Sequence, residues 1–311
     1  MAVESASPLV VPTGSTTRQV QLTVDVLRVV GDLTPWISNV VMEVSPSGIV
    51  WTAKCGSEKV VLKVMRIGTS SSGTKAKLLG RDLPIWMRLS HPNILELYGV
   101  CSQGPYGFAM VHPFFEHGTA RDYLMTNPSA RRLPLVLDVA RGLDYLHSRH
   151  PPVVHGDLVT SNVLIRDDGQ ACLTGFGMAR TLLEIPADEA SESLPPASIA
   201  RWLAPEVIYP GDYGLTVLGS LTTEADVYAF GMVAYELCTD RKPFHEFLDN
   251  YKIANKVATG ERPSRPADSA EHTISDSVWG LLQECWRQDW RERLSTAELV
   301  RRVADLVQSD S

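Results

Sequence analysis

The apolar residues change their spacing part-way along the chain. Between Val40 and Met65 they form short runs rich in β-branched residues (NVVMEV, GIVWTA and KVVLKVM), separated by Ser-Pro-Ser-Gly and Cys-Gly-Ser. Such runs and turn residues predict an antiparallel hairpin sheet. After Gly118 the apolar residues follow the helical i, i+3, i+4 spacing, first over Leu133 to Leu146 and again over Val227 to Leu237. This order predicts a small sheet unit followed by a mainly helical unit.

The composition indicates where the fold begins. Residues 1–22 are rich in Ser, Thr and Pro and lack sustained periodicity, so we expect a flexible tail. The 311 residues are enough for two units that each bury a core. We therefore predict an α+β fold with a sheet lobe over residues 23–112 and a helical lobe over residues 113–308.

Charge and cysteine content exclude several kinds of partner. The net charge of -7 gives no general basic field for nucleic acid or an anionic membrane. The five cysteines are widely spaced without a Cys-x-x-Cys pair, which predicts buried thiols, no disulfides and no zinc site. The N-terminus does not resemble a secretory signal, and no run of about 18 apolar residues occurs. We expect a protein of the cytoplasm or nucleus.

Seven short motifs follow one another in a fixed order. They are VVLK ending at Lys63, HPNI from His91, HGDLVTSN from His155, GFG from Gly175, WLAPE ending at Glu206, ADVYAFG around Asp226 and CWRQDWRER ending at Arg293. Over residues 30–305 the chain resembles a protein kinase, and RWLAPE with the CW…R ending resembles the tyrosine-kinase-like group. The resemblance implies a bilobal fold, with an antiparallel sheet and helix C in the smaller lobe, a helical larger lobe, and an ion pair between Glu206 and Arg293.

HGDL also occurs in small-molecule phosphotransferases of the aminoglycoside and choline kinase type. The APE, DVYAFG and CW…R motifs favour the protein kinase branch. In that branch the resemblance makes Lys63 the lysine that contacts the α- and β-phosphates of ATP. The position of its usual glutamate partner on helix C holds Asp82, followed by Pro84. Asp82 either pairs with Lys63 or caps the start of helix C, where Pro84 would be tolerated.

The glycine-rich loop is only partly present. The stretch EVSPSGIV keeps Gly48 and Val50 as ATP-binding candidates, whereas Glu43 and Ser45 replace the first two glycines of the family pattern. Glycines let the backbone N–H groups approach phosphate closely, and Pro46 has no N–H at all. The sequence therefore predicts a weakened grip on phosphate.

The resemblance implies three further contacts to the adenine ring. Phe115 lies in the expected hinge, where its backbone N–H and C=O groups are available, Val61 stands at the roof of the pocket and Leu164 at its floor. Val61 replaces an alanine, and its added methyl groups narrow the roof. Val61 and Leu164 can equally be ordinary core residues.

The catalytic loop keeps two residues of the kinase pattern and loses others. Asp157 stands at the position of the base that accepts the substrate proton, and Asn162 at a metal-binding position. Val159 replaces a lysine that assists the transferred phosphate, Gly156 replaces an arginine, and Ile199 replaces the threonine that bonds to this lysine and aspartate. Because two polar partners have become apolar, we expect Val159 and Ile199 to pack together, and Asp157 is either a base or an organiser of the backbone.

Gly175 stands where kinases have the aspartate that holds Mg²⁺, and glycine has no side-chain oxygen. Asp167 and Asp168 precede Gly169 in a predicted hairpin turn and do not replace it. Phe176 is retained and is expected to pack with His155.

The departures from the kinase pattern fall on residues that bind phosphate, hold the metal ion or assist the catalytic base. The sequence therefore predicts a pseudokinase. We expect a binding and regulatory module for protein partners, with weak or metal-independent ATP binding and without support for strong Mg²⁺ binding. The alternative is an active atypical serine/threonine kinase that transfers the γ-phosphate of ATP to protein hydroxyls. A small-molecule phosphotransferase is a third reading.

Overall fold

The computed structural model describes residues 31–45, 48–64, 83, 85–102, 109–175, 180–181, 199–266 and 274–310, with side chains omitted at 44–45, 48–50 and 180–181. The predicted tail over residues 1–22 lies outside the described residues. By its backbone contacts the chain divides into two compact units, whose boundary in the middle of the chain falls between Pro113 and Phe114. The segments 44–49 and 89–96 group with the second unit.

A five-stranded sheet forms the first unit, in the order β1-β2-β3-β5-β4. Strands β2, β3, β5 and β4 pair antiparallel, with Leu62 opposite Val111. One face carries the core, in which Val60, Leu62 and Val111 are almost fully buried. Its strands are β1 (Ile37–Ser45), β2 (Gly48–Cys55), β3 (Glu58–Val64), β4 (Gly99–Cys101) and β5 (Ala109–Pro113). The predicted sheet lobe is confirmed.

Helix C falls mostly outside the described residues, and so do Asp82 and Pro84. Leu83 and Trp86 are helical and buried, and the Met87 N–H donates to the Leu83 carbonyl at 3.0 Å. The Trp86 ring stacks on His112 of β5, with centroids 4.6 Å apart. This turn is therefore fixed to the sheet by aromatic packing.

Seven α-helices lie in the described part of the second unit. They are α1 (Ala120–Thr126), α2 (Arg132–His147), α3 (Pro205–Ile208), α4 (Thr223–Thr239), α5 (Asn250–Ala258), α6 (Asp276–Cys285) and α7 (Thr296–Ser309). Nearly every residue of α4 is buried, and α2 packs against both α4 and α7. An apolar helix surrounded on all sides is a core helix. The helical lobe is confirmed.

Side-chain caps set the starts of several helices. Thr119 and Asp122 form a capping box at α1, as the sequence suggests. The sequence also predicts Thr223, three residues before Asp226, as the cap of α4, but the cap is Thr222, whose hydroxyl accepts from the Ala225 N–H at 3.1 Å. Both threonines precede the apolar run, and only backbone geometry separates an N-cap from the residue after it.

Two short two-stranded sheets flank the polar run HGDLVTSN. Strand β7 (Val163–Ile165) pairs with β8 (Ala171–Leu173), and β6 (Val153–Val154) pairs with β9 (Arg180–Thr181). The β7–β8 connection turns at Gly169, whose φ of +84° is left-handed. Glycine adopts this conformation without strain, and the predicted hairpin is confirmed.

All five cysteines are free. Cys101, Cys172 and Cys285 are buried, and burial also raises the pKa of the Cys238 thiol to about 12 although that residue is partly exposed as a whole, so the expectation of buried thiols fails at Cys55. Burial raises the pKa of Cys172 and Cys285 to about 12, which keeps both thiols protonated at neutral pH. Within the described residues, no helix has the length and apolar character needed to cross a membrane.

Candidate active site

A buried carboxylate holds the start of the loop HGDLVTSN. Asp226 on α4 is 2% exposed and accepts hydrogen bonds from the backbone N–H groups of His155 at 2.7 Å and Gly156 at 2.9 Å. The Asp226 carboxylate also lies 2.9 Å from Nε2 of the His147 side chain. The sequence alone identifies Asp226 only as part of the ADVYAFG motif. An aspartate inside an otherwise apolar helix is the signal that indicates such an anchor, because a buried carboxylate needs partners.

A second carboxylate on α4 holds the far end of the loop. Glu236 is 3% exposed and accepts from the Thr160 hydroxyl at 2.6 Å and from Arg121 Nη1 at 2.7 Å. Thr160 lies between Asp157 and Asn162, so its bond to Glu236 fixes the backbone that joins these two residues. Two buried carboxylates on the most buried helix thus position the loop.

Asp157 and Asn162 lie in direct contact. The amide nitrogen of Asn162 donates to the Asp157 carbonyl at 2.8 Å and to its carboxylate at 3.0 Å. His155 organises the same turn, since its Nδ1 accepts from the Asp157 N–H at 3.3 Å while its Nε2 lies 2.9 Å from the Thr174 carbonyl. A carbonyl only accepts, so Nε2 carries the proton and His155 is neutral in this arrangement. The expected partner Phe176 lies outside the described residues.

Gly175 closes against Asn162. Its φ is +93°, and a Cβ built on it would lie 2.5 Å from the Asn162 amide carbon and nitrogen and 2.7 Å from the amide oxygen. The Asn162 side chain therefore occupies the space in which any side chain at 175 would begin. A carboxylate at position 175 would therefore require the Asn162 side chain to move.

The donor set does not suit Mg²⁺. This ion prefers octahedral oxygen ligands and is commonly held through one or two carboxylates. Gly175 supplies no side-chain oxygen, and Asn162 directs its amide nitrogen at Asp157. The acids of the nearby turn are engaged elsewhere, because Asp167 accepts from the Glu116 N–H and Asp168 from the Gln170 N–H. No cluster of three metal-ligating His, Cys, Asp or Glu side chains occurs among the described residues.

Val159 and Ile199 line one small cavity. Its volume is about 20 Å³, and Asp157, Trp202 and Leu221 also contribute to its wall. Val159 is 7% exposed, so this position is nearly sealed from water. The two apolar replacements therefore converge on one place beside Asp157. A lysine at 159 would have to place its charge in this apolar wall.

Five of the ATP-site candidates belong to three strands of the structure. Lys63 and Val61 lie on β3, on the face opposite the core residues. Gly48 and Val50 lie on β2, with only their backbone described. Leu164 is on β7 and is half-buried. All five candidates therefore lie in β-strands, and their contacts with ATP stay predictions.

Phe115 and Glu43 carry contacts that the sequence did not suggest. Phe115 follows β5 and lies under the Arg166 guanidinium, 5.3 Å from the centre of its ring. Glu43, at a glycine position of the family pattern, accepts from the Thr52 hydroxyl at 2.8 Å and lies 3.5 Å from the Lys59 ammonium. Glu43 therefore links neighbouring strands of the sheet. Ser45 and Pro46 carry no described side chain.

The predicted pair of Glu206 and Arg293 is confirmed. The guanidinium donates from Nη1 and Nη2 to the two carboxylate oxygens at 2.5 and 2.9 Å, and both side chains are almost fully buried. Arg293 also donates to the carbonyls of Glu224 and Arg287 at 3.0 Å. Its guanidinium lies over the ring of Tyr228, whose hydroxyl pKa burial raises to about 12. This bidentate pair fixes α3 to the C-terminal part of the unit.

The model of one protein family matches residues 43–303 of the chain, and its description is protein tyrosine and serine/threonine kinase. Among similar proteins, serine/threonine-protein kinase TNNI3K of Mus musculus is 28% identical over 262 residues. Probable serine/threonine-protein kinase roco6 of Dictyostelium discoideum is 28% identical over 278 residues, and serine/threonine/tyrosine-protein kinase HT1 of Arabidopsis thaliana is 30% identical over 249 residues.

These matches cover 83%, 85% and 78% of the chain. They cover 30% of TNNI3K, 12% of roco6 and 58% of HT1. The matched region thus spans less than two thirds of the length of each of these relatives. What it shares with them is one domain.

Proposed function

We propose that this chain, which belongs to the protein tyrosine and serine/threonine kinase family and is of the tyrosine-kinase-like type, is a pseudokinase. It acts as a binding and regulatory module for protein partners, and it binds ATP weakly or without a metal ion. Phosphoryl transfer is impaired because the metal that bridges the phosphates has lost its main ligand.

The contact between Gly175 and Asn162 carries this proposal. A bare glycine could be compensated by another carboxylate, but here the Asn162 amide fills the space beside it. Asn162 and Asp157 are bonded to each other, which suits a structural loop. Two metal-binding positions of the family therefore support packing instead of coordination.

Two further replacements point in the same direction. Val159 and Ile199 line the cavity beside Asp157, and neither side chain supplies a cation for the charge that develops on phosphate. Glu43 places a carboxylate at a glycine-loop position, where it would repel phosphate if it faced the nucleotide. Its described bonds to Thr52 and Lys59 give it a use within the sheet.

The scaffold is retained while the chemistry is lost. Asp226, Glu236 and the pair of Glu206 and Arg293 are fully engaged and buried. A chain that keeps these features keeps the shape of a kinase and hence its surfaces for other proteins. Its five free thiols fit a reducing compartment such as the cytoplasm or nucleus.

An active atypical serine/threonine kinase is the second candidate. It is favoured by Lys63, Asp157 and Asn162, which match the family pattern, and by the similarity to the serine/threonine-protein kinases TNNI3K and roco6. In that case the catalytic base is Asp157, and the metal ligands must rearrange around Asn162 when nucleotide binds.

Thermal unfolding with ATP tests the proposed loss of the metal site. ATP at 100 times its dissociation constant adds about 2.7 kcal/mol to the free energy of unfolding, so the midpoint should rise by a few degrees. We expect the same rise with EDTA as with Mg²⁺ or Mn²⁺, and its loss in Lys63→Met. A rise of the midpoint that requires Mg²⁺ would contradict the proposed loss of the metal site. A midpoint that does not rise in any condition would show that the chain does not bind ATP, and would contradict that part of the proposal.

A further inference from the structure

The chain segment before β1 pairs with an edge strand of the five-stranded sheet. Asp32 forms a parallel bridge with Val100 of β4, which lies at the end of the strand order. The Leu33 N–H donates to the Val100 carbonyl at 2.8 Å, and the Val100 N–H donates to the Gly31 carbonyl at 3.1 Å. Residues 31–36, here called the N-terminal strap, are therefore fastened to β4 by backbone bonds.

The N-terminal strap also covers part of the core of the sheet. Leu33 packs against the buried cluster that contains Val60, Leu62 and Val111. The approach to β4 is close, because a Cβ added to Gly99 would lie 2.9 Å from the Leu33 side chain. Departure of the strap from β4 would therefore expose apolar surface of the sheet to water.

The Thr34 hydroxyl holds the strap in register. It donates to Asp32 Oδ1 at 2.5 Å and accepts from the Ser102 N–H at 2.9 Å. The Asp32 carboxylate also accepts from the Thr34 N–H and from the Ser102 hydroxyl, both at 2.9 Å. One carboxylate and two hydroxyl groups thus tie the strap to the residue that follows β4.

This hydrogen-bond network already contains an anion. Burial of the Asp32 carboxyl opposes its ionisation, but hydrogen bonds from Thr34 and Ser102 outweigh this effect and lower its pKa below the usual value. The Thr34 hydroxyl also lies 3.5 Å from Cys101 Sγ and 3.4 Å from Ser102 Oγ, so none of its side-chain contacts among the described residues is a cation. A phosphate on Thr34 would place a charge of about −1.5 to −2 beside the Asp32 carboxylate.

The sequence and exposure around Thr34 suit a protein kinase of one class. Thr34 is followed by Pro35, and a kinase whose pocket offers no acceptor at that position selects proline, which has no N–H. Pro35 and Trp36 are exposed, and the single 3-10 turn Thr34–Trp36 contains no buried residue. A turn with few buried contacts opens locally at low cost in free energy, so the hydroxyl can reach a kinase while the sheet stays folded.

We propose that Thr34 is a phosphorylation site for a proline-directed serine/threonine protein kinase, and that its phosphate releases the N-terminal strap from β4. The Thr34 hydroxyl oxygen bonds to the γ-phosphorus of ATP held by that kinase. The bond from this phosphorus to the oxygen that bridges the β- and γ-phosphates breaks, ADP leaves, and the hydroxyl proton passes to the base of the kinase.

The modified side chain acts on the strap in two ways. The Thr34 oxygen no longer donates to Asp32, and the phosphate repels the Asp32 carboxylate. Release of the strap uncovers apolar surface beneath Leu33, which gives a regulatory module a contact surface that depends on phosphorylation. The chain is the substrate in this reaction, so the site does not depend on its own nucleotide site.

Hydrogen exchange followed by NMR on the full chain, before and after phosphorylation, tests the proposal. The enzyme is a mitogen-activated protein kinase that phosphorylates the isolated peptide of residues 30–40, with ATP and Mg²⁺, and a sample without it is the blank. We expect mass spectrometry to find phosphate on Thr34. The Leu33 and Val100 amides should then exchange about tenfold faster or more, a change that corresponds to roughly 1.4 kcal/mol.

Two controls make the result specific. The Tyr98 N–H donates to the Val111 carbonyl of β5 at 2.9 Å, so its exchange rate should stay unchanged when only the strap is released. Ser7 and Ser45 also precede prolines, and Thr34→Ala separates their modification from that of Thr34. Treatment of Thr34→Ala with the kinase should leave its exchange rates as they were before treatment.

Three results would overturn the proposal. The first is a full chain that carries no phosphate on Thr34 under conditions in which the peptide is modified. The second is a chain phosphorylated on Thr34 whose Leu33 and Val100 amides exchange at the unmodified rate. The third is faster exchange at Tyr98 as well, because the phosphate would then disrupt the sheet instead of releasing the strap.

Discussion

Replacing Glu206 with glutamine should lower the free energy of unfolding of the second unit by about 3–5 kcal/mol. The substitution keeps the size of the side chain but leaves the Arg293 guanidinium buried without its negative partner. The acceptors that remain are the amide oxygen of the new glutamine and the carbonyls of Glu224 and Arg287, and none of them carries a charge that balances the guanidinium. The midpoint of urea unfolding followed by circular dichroism measures the loss.

Two variants separate the buried pair from ordinary surface charge. Glu298→Gln breaks an exposed pair with Arg301 at 2.6 Å and should leave the midpoint nearly unchanged. The double variant Glu206→Met with Arg293→Met should lose less than Glu206→Gln alone, because no unpaired charge remains. A Glu206→Gln midpoint equal to that of wild type would show that the pair does not hold the unit together.

Replacing Gly175 with alanine should lower the free energy of unfolding by about 2–5 kcal/mol. A left-handed φ costs a non-glycine residue roughly 1–2 kcal/mol. The new methyl group also meets the Asn162 side chain, and such overpacking costs about 1–3 kcal/mol. Gly175→Asp places a larger group in the same space, so restoring the family residue alone should destabilise the fold.

Gly169→Ala is the matched control. Gly169 has a φ of +84°, close to the +93° of Gly175, but a Cβ on it would meet nothing within 4 Å. The difference between the two alanine variants therefore reports the contact with Asn162. In an Asn162→Ala background the cost of Gly175→Ala should fall to that of Gly169→Ala. Equal costs in the wild-type background would mean that Asn162 does not fill this space.

Much of the fold follows from local patterns. The β-branched runs around β2 and β3 and the helical spacing of α2 and α4 are properties of neighbouring residues, so the sequence predicted both units. The pair of Glu206 and Arg293 lies far apart in sequence and came instead from the family resemblance. The Thr222 cap was missed because two adjacent threonines are equally suited to that role.

The site could be predicted by residue type but not by arrangement. The sequence shows that glycine replaces the family's aspartate at position 175. The contact of the Asn162 amide with this position depends on the folded structure. The hydrogen bonds from the backbone of His155 and Gly156 to Asp226 were also not predicted from the sequence, because they join residues about seventy positions apart. Long-range polar contacts depend on how helices pack, and a single sequence does not encode them in a local pattern.

Transfer of labelled phosphate from ATP tests the central claim most directly. The chain is incubated at high concentration with Mg²⁺ or Mn²⁺, ATP and protein substrates rich in serine, threonine and tyrosine, beside an Asp157→Asn variant of the same fold. If the metal site is lost, wild type and Asp157→Asn should incorporate the same background amount of phosphate. Incorporation by wild type that Asp157→Asn abolishes would contradict the account and establish an active kinase.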